Sequence, residues 1–352
     1  MITLKAITLQ GFWERDMKNR KWEVLINLVI IAVFLAVAGW LMLLTKNKYE
    51  EKLVKIIAFS AVGLIAHYQL SLVLHELGHT LLAKLCKMNI QYIDFGLFSI
   101  DCEGKKIKLF GGNKGEAGEI LFASEGQISE KQIKLIAFGG LLLSLIYVVI
   151  CYLPLLFVDQ MIADCLLKIG GLSAVYLLFV NLLPIDKTSD GAILLSRKQY
   201  PAILSAVINH QTAVKKGEIP VEADIFKSSS QPLACYYHYL YLMNEGKTEE
   251  AYALINKLND EIDELTDEEY TLIFSEIVTV NCLQSERDES INARAEIFFD
   301  AELNTPAFLR AHYLYRKKQG ESTWAEGLRA SYLKTLESAP LFILEVEKQF
   351  NK

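Results

Sequence analysis

Four long apolar runs occupy the first 190 residues of the chain. They cover roughly residues 24–44, 53–85, 133–158 and 162–183. Each run is long enough, or nearly so, for a helix to cross a hydrocarbon core of about 30 Å. The pattern predicts a mainly α-helical protein whose first half is a polytopic membrane bundle of about four transmembrane helices.

Three short segments between the second and third apolar runs have a different pattern. Residues 90–98, 106–110 and 119–123 are rich in β-branched and aromatic residues, and residues 106–110 alternate between polar and apolar positions. Alternation with a period of two is typical of a strand that has one buried face. These segments predict a small β-hairpin region between two transmembrane helices.

From about residue 200 the chain reads as short amphipathic helices separated by glycine and acidic residues. The tetrapeptide His-Tyr-Leu-Tyr begins at His238 and again at His312, and a glycine follows eight residues later in each case. Such helix–turn–helix units resemble tetratricopeptide-like repeats, which have a period of about 34 residues. We expect a soluble domain over residues 200–352, either tetratricopeptide-like or a generic set of α-hairpins. We expect His210 in this domain to be exposed.

Charge separates the two halves of the chain. Of the 42 acidic and 36 basic residues, 25 acidic and 15 basic residues lie beyond residue 199, so the first half carries a small positive excess. An acidic C-terminal half without a basic stripe argues against a nucleic-acid partner. The four runs predict a multi-pass protein of the cell membrane. Basic residues before the first run, including Arg15 and Lys18, and after the fourth, including Lys187 and Arg197, predict cytosolic N- and C-termini.

The second apolar run contains the sequence His75-Glu76-Leu77-Gly78-His79. Two histidines four residues apart lie on the same face of a helix, about 40° from each other. This spacing allows both imidazoles to bind one zinc ion, with Glu76 positioned as a general base for water. A chance match in an amphipathic helix is the alternative, but ionisable residues inside a membrane indicate function by default.

The fourth run ends in a segment that offers a third ligand. Pro184 should end the helix, and Gly191 permits a tight backbone directly after Asp190. The predicted topology puts this segment and the histidines at the same depth of the membrane. Asp190 is therefore a candidate ligand, and Asp186 is a rival one turn earlier.

These two elements together resemble the site-2 protease family of intramembrane zinc metalloproteases. The family pattern combines His-Glu-x-x-His on one transmembrane helix with Asn-x-x-Pro and Asp-Gly at the end of a later helix. The matching residues are His75, Glu76, His79, Asn181, Pro184, Asp190 and Gly191. The resemblance covers roughly residues 53–195, and it includes the glycine-rich start of the third run at Gly139 and Gly140.

The resemblance implies a function and a set of roles. His75, His79 and Asp190 would bind Zn²⁺, Glu76 would activate water, and Asn181 would help to hold the substrate backbone. Residues 1–199 would form the membrane-embedded protease domain, with an accessory helix over residues 24–44 and a core over residues 53–195. The segment between the second and third runs would be a membrane-associated β-hairpin that pairs with unwound substrate; a hairpin without a substrate role is the alternative.

The expected activity is therefore hydrolysis of a membrane-anchored protein or peptide, as in regulated intramembrane proteolysis. The C-terminal helical domain would bind a protein partner or regulate access. The alternative is a catalytically inactive membrane scaffold, in which the metal site is structural and the helical domain recruits partners. A third possibility, another membrane metalloprotease class with a glutamate as third ligand, lacks a comparable glutamate motif on a later helix.

Overall fold

The computed structural model of the protein is mainly helical, with a small antiparallel sheet. It describes residues 21–50, 52–102, 104–109, 119–124, 127–184, 189–195, 199–262, 265, 267–284, 289–300, 303 and 305–350. The chain divides into two compact units between Ser205 and Ala206, inside the helix Tyr200–Lys215.

The first unit contains four long helices: α1 (Lys21–Tyr49), α2 (Leu53–Leu85), α3 (Glu130–Tyr152) and α4 (Met161–Leu182). By length and composition all four can cross a membrane, so the number of candidate spanning helices agrees with the prediction. The fourth helix is irregular, because residues Asp164–Ile169 form a π-helical segment before the regular helix Leu172–Leu182.

Local sequence explains where two of these helices begin and end. The hydroxyl of Ser129 accepts a hydrogen bond from the Gln132 backbone, and the Gln132 side chain accepts one from the Ser129 backbone, which is a capping box at the start of α3. The helix α4 ends at Leu182, two residues before Pro184, as the sequence predicts.

Glycine brings α2 and α3 into close contact. A side chain at Gly78 would collide with the backbone of Gly139, and a side chain at Gly139 would collide with the backbone of Gly78. The two helix backbones therefore touch directly at this crossing, one residue before His79.

The first helix packs against α4, where the ring of Phe34 meets Tyr176 edge-on at 5.3 Å. Near the end of α1, the Tyr49 hydroxyl donates to Asp159 at 2.7 Å, and Lys48 pairs with the same carboxylate. The link between α1 and α2 therefore lies at the same end of the bundle as the link between α3 and α4. The residues 1–20 that carry the prediction of a cytosolic N-terminus lie outside the described residues, so the sidedness stays a prediction.

The sheet contains the strands β1 (Met88–Asp94), β2 (Phe98–Asp101), β3 (Lys106–Leu109) and β4 (Glu119–Ser124), in the order β3-β2-β1-β4. The prediction of one strand over residues 90–98 was wrong, because the chain turns within it. Gly96 has a φ of 82°, and its N–H donates to Asp94 Oδ1 at 2.7 Å. Glycine adopts this left-handed conformation readily, so β1 and β2 form a hairpin around it.

The strand β1 runs back along the C-terminal half of α2. Gln69, sixteen residues before the end of α2, donates from its side chain to the carbonyl of Phe95 at 2.5 Å. Since β1 begins just after α2 ends, the sheet lies beside the part of α2 that carries His75 and His79.

The first unit ends with the short helix α5 (Asp190–Leu195) and the start of α6 (Tyr200–Lys215), which continues into the second unit. The rest of the second unit is helical as well. Its helices are α7 (Asp224–Ser228), α8 (Pro232–Asn244), α9 (Thr248–Asp260), α10 (Asp267–Leu283), α11 (Glu289–Phe298), α12 (Pro306–Lys318), α13 (Ser322–Leu336) and α14 (Leu341–Gln349). The pairs α8–α9 and α12–α13 pack as neighbours, and α10 packs against α12.

The two copies of His-Tyr-Leu-Tyr occupy equivalent places in these hairpins. One lies in α8 and the other in α12, and the following glycines, Gly246 and Gly320, both have positive φ. After each glycine the next N–H reaches back to a carbonyl of the preceding helix, at 2.9 Å for Lys247 and 3.1 Å for Glu321. The sequence echo therefore marks two similar helix–turn–helix units, while the assignment to tetratricopeptide-like repeats stays a prediction.

His210 is buried, so the prediction that it is exposed was wrong. Its ring packs edge-on against Tyr237, Tyr241 and Phe342, and its Nδ1 lies 2.8 Å from the Tyr241 hydroxyl. Because α6 is amphipathic, its buried face carries this histidine into an aromatic core.

Candidate metal centre

Three side chains from two distant parts of the sequence meet in the first unit. The Nε2 atoms of His75 and His79 lie 3.2 Å apart, and each lies 3.3 Å from Oδ2 of Asp190. All three residues are largely buried, with their side chains between 6% and 13% exposed. The three atoms form a nearly equilateral triangle, which is the arrangement that one metal ion bound by three ligands requires.

The opposite ring nitrogens are held by α3. Nδ1 of His79 lies 2.8 Å from the carbonyl of Ile136, so this nitrogen carries the proton and donates it. Nδ1 of His75 lies 3.0 Å from the hydroxyl of Ser144, which is buried as well. Both Nε2 atoms are therefore turned toward Asp190, the orientation in which metal-binding histidines are held by partners at the other ring nitrogen.

Gly140 lies between these two partners on the same face of α3. A Cβ atom at this position would collide with His79 Nε2 and come within 2.8 Å of His75 Cε1. The absence of a side chain at Gly140 therefore creates the space that the two imidazoles occupy.

Asp190 is fixed by the turn between α4 and α5. The Ser189 hydroxyl donates to the carbonyl of Leu183 at 3.0 Å and accepts from the backbone of Ala192, so it caps α5. Gly191 packs directly against the carbonyl of Leu182. The structure shows a helix that begins at Asp190, where the missing side chain of Gly191 permits this close packing.

A metal ion fits the unsatisfied chemistry of this group. Asp190 Oδ2 is buried and makes no hydrogen bond to any described residue. An unpaired carboxylate oxygen is costly in such a place unless a cation compensates it. Among the described histidine, cysteine, aspartate and glutamate residues, only His75, His79 and Asp190 form such a group, so the described part of the chain supplies three ligands there.

Glu76 is buried next to this group, with 4% of its surface exposed. It follows His75 directly, and the Thr80 hydroxyl donates to its backbone carbonyl at 2.9 Å. A buried carboxylate beside a metal site can exchange protons with a bound water molecule.

Of the other predicted site residues, Asn181 is described and is not brought to the triangle. The Asn181 side chain donates to the carbonyl of Leu177 in its own helix, at 3.0 Å, and makes no described contact with His75, His79 or Asp190. The rival ligand Asp186 lies outside the described residues.

The contribution of α3 was not predicted from the sequence. The carbonyl of Ile136, Gly140 and the hydroxyl of Ser144 recur every four residues and form one helix face. The glycine pair Gly139 and Gly140 and the spacing to Ser144 were visible in the sequence, but they do not indicate which face of this apolar helix meets the histidines. Comparisons with protein-family models, with curated proteins and with solved structures find no match for this chain.

Proposed function

We propose that this chain is an intramembrane zinc metalloprotease that cleaves membrane-anchored proteins or peptides within or near their transmembrane segment. The observation that carries the proposal is the buried triangle of His75, His79 and Asp190, in a unit whose four long helices are apolar enough to span a membrane. An ionisable group of this kind has no role in a plain apolar bundle.

The dimensions of the triangle favour zinc. Ligands about 2.0–2.1 Å from a tetrahedral zinc ion lie roughly 3.3 Å from one another. The observed separations are 3.2, 3.3 and 3.3 Å. An octahedral ion with ligands at 2.0–2.1 Å, such as magnesium, separates neighbouring ligands by only about 2.9 Å and prefers oxygen.

The number of ligands supports a catalytic site rather than a structural one. Structural zinc sites have four protein ligands, whereas catalytic sites have three and leave one position open. The described residues supply three here. Glu76 adds a buried carboxylate that a purely structural site does not need.

A bound zinc ion supplies Lewis acidity, which polarises the scissile carbonyl and makes water acidic enough to act near neutral pH. The Glu76 carboxylate accepts the proton of the attacking water. It then gives this proton to the nitrogen of the scissile amide, so the C–N bond breaks and an amine leaves. Ser144 and the Ile136 carbonyl hold the two imidazoles in one orientation throughout.

The sheet beside α2 suits the presentation of an unwound substrate. All residues of its edge strand β3 are exposed, and Lys106 and Lys108 alternate with Ile107 and Leu109. We propose that substrate adds to an edge of this sheet as a strand, which exposes its peptide bonds. Removal of residues 98–109 is expected to abolish cleavage of a membrane substrate; unchanged turnover contradicts this role.

The direct test replaces Glu76 by Gln in the full chain, reconstituted in vesicles with single-span membrane proteins as substrates. We expect cleavage to fall by at least about 100-fold, since general acid–base groups contribute on the order of 10²–10⁴-fold. The zinc content should stay unchanged. Glu130→Gln, at an exposed glutamate of α3, is the matched control. Wild-type turnover by Glu76→Gln excludes Glu76 as the base.

A second experiment identifies the ligands by metal content. His75→Ala and Asp190→Ala should each lower the zinc content of the purified chain, whereas Asp186→Ala should not. If Asp186→Ala loses zinc and Asp190→Ala retains it, the third ligand is Asp186 and not Asp190. If the chain binds zinc through four protein ligands and shows no peptidase activity, the result favours the alternative of a catalytically inactive membrane scaffold.

For the C-terminal unit we propose a protein partner, bound by a tetratricopeptide-like stack. The repeated helix–turn–helix units around Gly246 and Gly320 support this proposal. Stacked helical hairpins commonly present a concave surface to a peptide. Cross-linking of the full chain in its native membrane, with mass-spectrometric mapping onto α8–α13, is the test; cross-links confined to the first unit contradict it.

A further inference from the structure

The metal ligands belong to a longer polar stripe on α2. His67, Ser71, His75 and His79 follow one another at intervals of four residues, and all four lie on one side of the helix. His67 is eight residues from His75, which is about 12 Å along the helix axis. It takes no part in the metal centre.

Two hydrogen-bond donors of α3 converge on one nitrogen of His67. The Tyr147 hydroxyl lies 2.7 Å from Nδ1, and the Cys151 thiol lies 3.4 Å from the same atom. The rings of His67 and Tyr147 are also stacked, with centroids 5.8 Å apart. Both groups can donate, and when Nδ1 accepts from either of them the proton of a neutral His67 resides on Nε2.

This Nε2–H group has no acceptor among the described residues of the protein, and the ring is only half-buried. His67 is also near the middle of the 33-residue helix α2. With α2 centred in a hydrocarbon core of about 30 Å, His67 lies about 12 Å from the nearer surface, which is beyond hydrogen-bonding distance of lipid headgroup oxygens. A hydrogen-bond donor without a partner in hydrocarbon is costly, so its acceptor must come from another molecule within the membrane.

We propose that the His67 Nε2–H group is a substrate subsite, which binds a hydrogen-bond acceptor in the transmembrane segment of the substrate. The inference rests on the proposed proteolytic function and narrows its substrate class. The acceptor is an Asn or Gln side chain, or a backbone carbonyl freed by proline, about 12 Å from the scissile bond. That distance corresponds to about eight helical residues or about four extended ones.

Binding of a synthetic peptide tests the subsite without requiring cleavage. The full chain with Glu76→Gln is reconstituted in phosphatidylcholine–phosphatidylglycerol vesicles. Its affinity is measured by energy transfer for two 21-residue Leu/Ala peptides, one with a central Asn and one with Leu there. The Asn peptide is expected to bind about 3- to 15-fold more tightly, the range for hydrogen bonds between transmembrane helices.

Substitutions at His67 separate a bound acceptor from a structural role. His67→Leu should abolish the preference for Asn, and His67→Gln, which keeps an N–H donor, should retain most of it. Equal binding of both peptides by the Glu76→Gln chain overturns the inference, as does a preference that survives in His67→Leu. If the chain binds the Asn peptide more tightly but Glu76 proves dispensable for cleavage, the result supports the His67 subsite and excludes Glu76 as the general base.

Discussion

Gly140 faces the imidazole of His79 so closely that a single added carbon atom would collide with Nε2. This relationship makes a backbone position on α3 part of the candidate metal centre, although glycine itself offers no ligand. The space for two imidazoles and a carboxylate exists because α3 presents no side chain at this point.

Gly140→Ala is therefore expected to lower zinc affinity sharply. The new methyl group would force the His79 ring out of the triangle, because the opposite nitrogen is held by the Ile136 carbonyl and cannot yield freely. Loss of one of three protein ligands should reduce the metal content of the purified chain to near background, as measured by atomic absorption.

Gly39→Ala is the matched control for that experiment. Gly39 lies in α1, and no atom lies within 4 Å of a Cβ built there. Both substitutions raise helix propensity by the same amount. A difference in zinc content between the two variants therefore results from the collision with His79 and not from a change in helix stability. Normal zinc content in Gly140→Ala contradicts the geometry of the site.

Ser144→Ala should weaken zinc binding without abolishing it. The Ser144 hydroxyl is the partner of His75 Nδ1, and loss of such a partner typically costs about 10- to 100-fold in metal affinity. Ser144→Thr, which keeps the hydroxyl, should restore much of the affinity in a chelator competition assay. Ser173→Ala, which removes a buried hydroxyl bonded within α4, should have no effect on zinc.

Much of the first unit could be predicted because membrane helices are long and uniform. Apolar runs mark them directly, and His75 and His79 fall on one face by spacing alone. The meeting of Asp190 with these histidines could be expected only from topology, and the structure brings them within 3.3 Å.

The features that could not be predicted depend on tertiary contacts, which leave no recognisable pattern in the local sequence. Neither Ser144 nor the Ile136 carbonyl could be assigned to a histidine before the rotation of α3 against α2 was known. The division of residues 90–98 into two strands depended on a single glycine with positive φ. His210 was assigned to the surface because its partner Phe342 lies more than 130 residues later in the chain.

The C-terminal unit contains a buried ionic network that predicts a large stability effect. Arg310, 2% exposed, pairs with both Glu276 and Glu347. The hydroxyls of Tyr239 and Tyr332 donate to these carboxylates, at 2.7 and 2.8 Å. The network ties α10, α12 and α14 together.

Arg310→Ala should lower the free energy of unfolding of this unit by about 3–5 kcal/mol, because two buried carboxylates lose their counter-charge. The measurement is the urea dependence of hydrogen exchange in α10 and α12 of the full chain. Lys348→Ala, which breaks an exposed pair with Glu345, should change the transition little. Equal effects of the two substitutions contradict a stabilising network.

The same unit should lose stability as the pH falls below 7, and His210 is a cause that can be isolated. Burial lowers the pKa of His210 from its ordinary value of 6.5 to about 4. The unfolded chain therefore takes up a proton near pH 6.5, whereas the folded chain does so only near pH 4. Stability is complete above pH 6.5 and is lost between these values, by about 2 kcal/mol between pH 7 and pH 5.

His210→Phe removes the titrating group and keeps an aromatic ring among Tyr237, Tyr241 and Phe342. The variant starts from a lower stability, because the Tyr241 hydroxyl loses a partner, but its decline from pH 7 to pH 5 should be smaller by about 2 kcal/mol. Urea-dependent hydrogen exchange of α8 at the two pH values measures this difference. A residual decline is expected, because burial also lowers the pKa of His312 to about 4. Identical declines in both proteins exclude His210 as a source of the acid sensitivity.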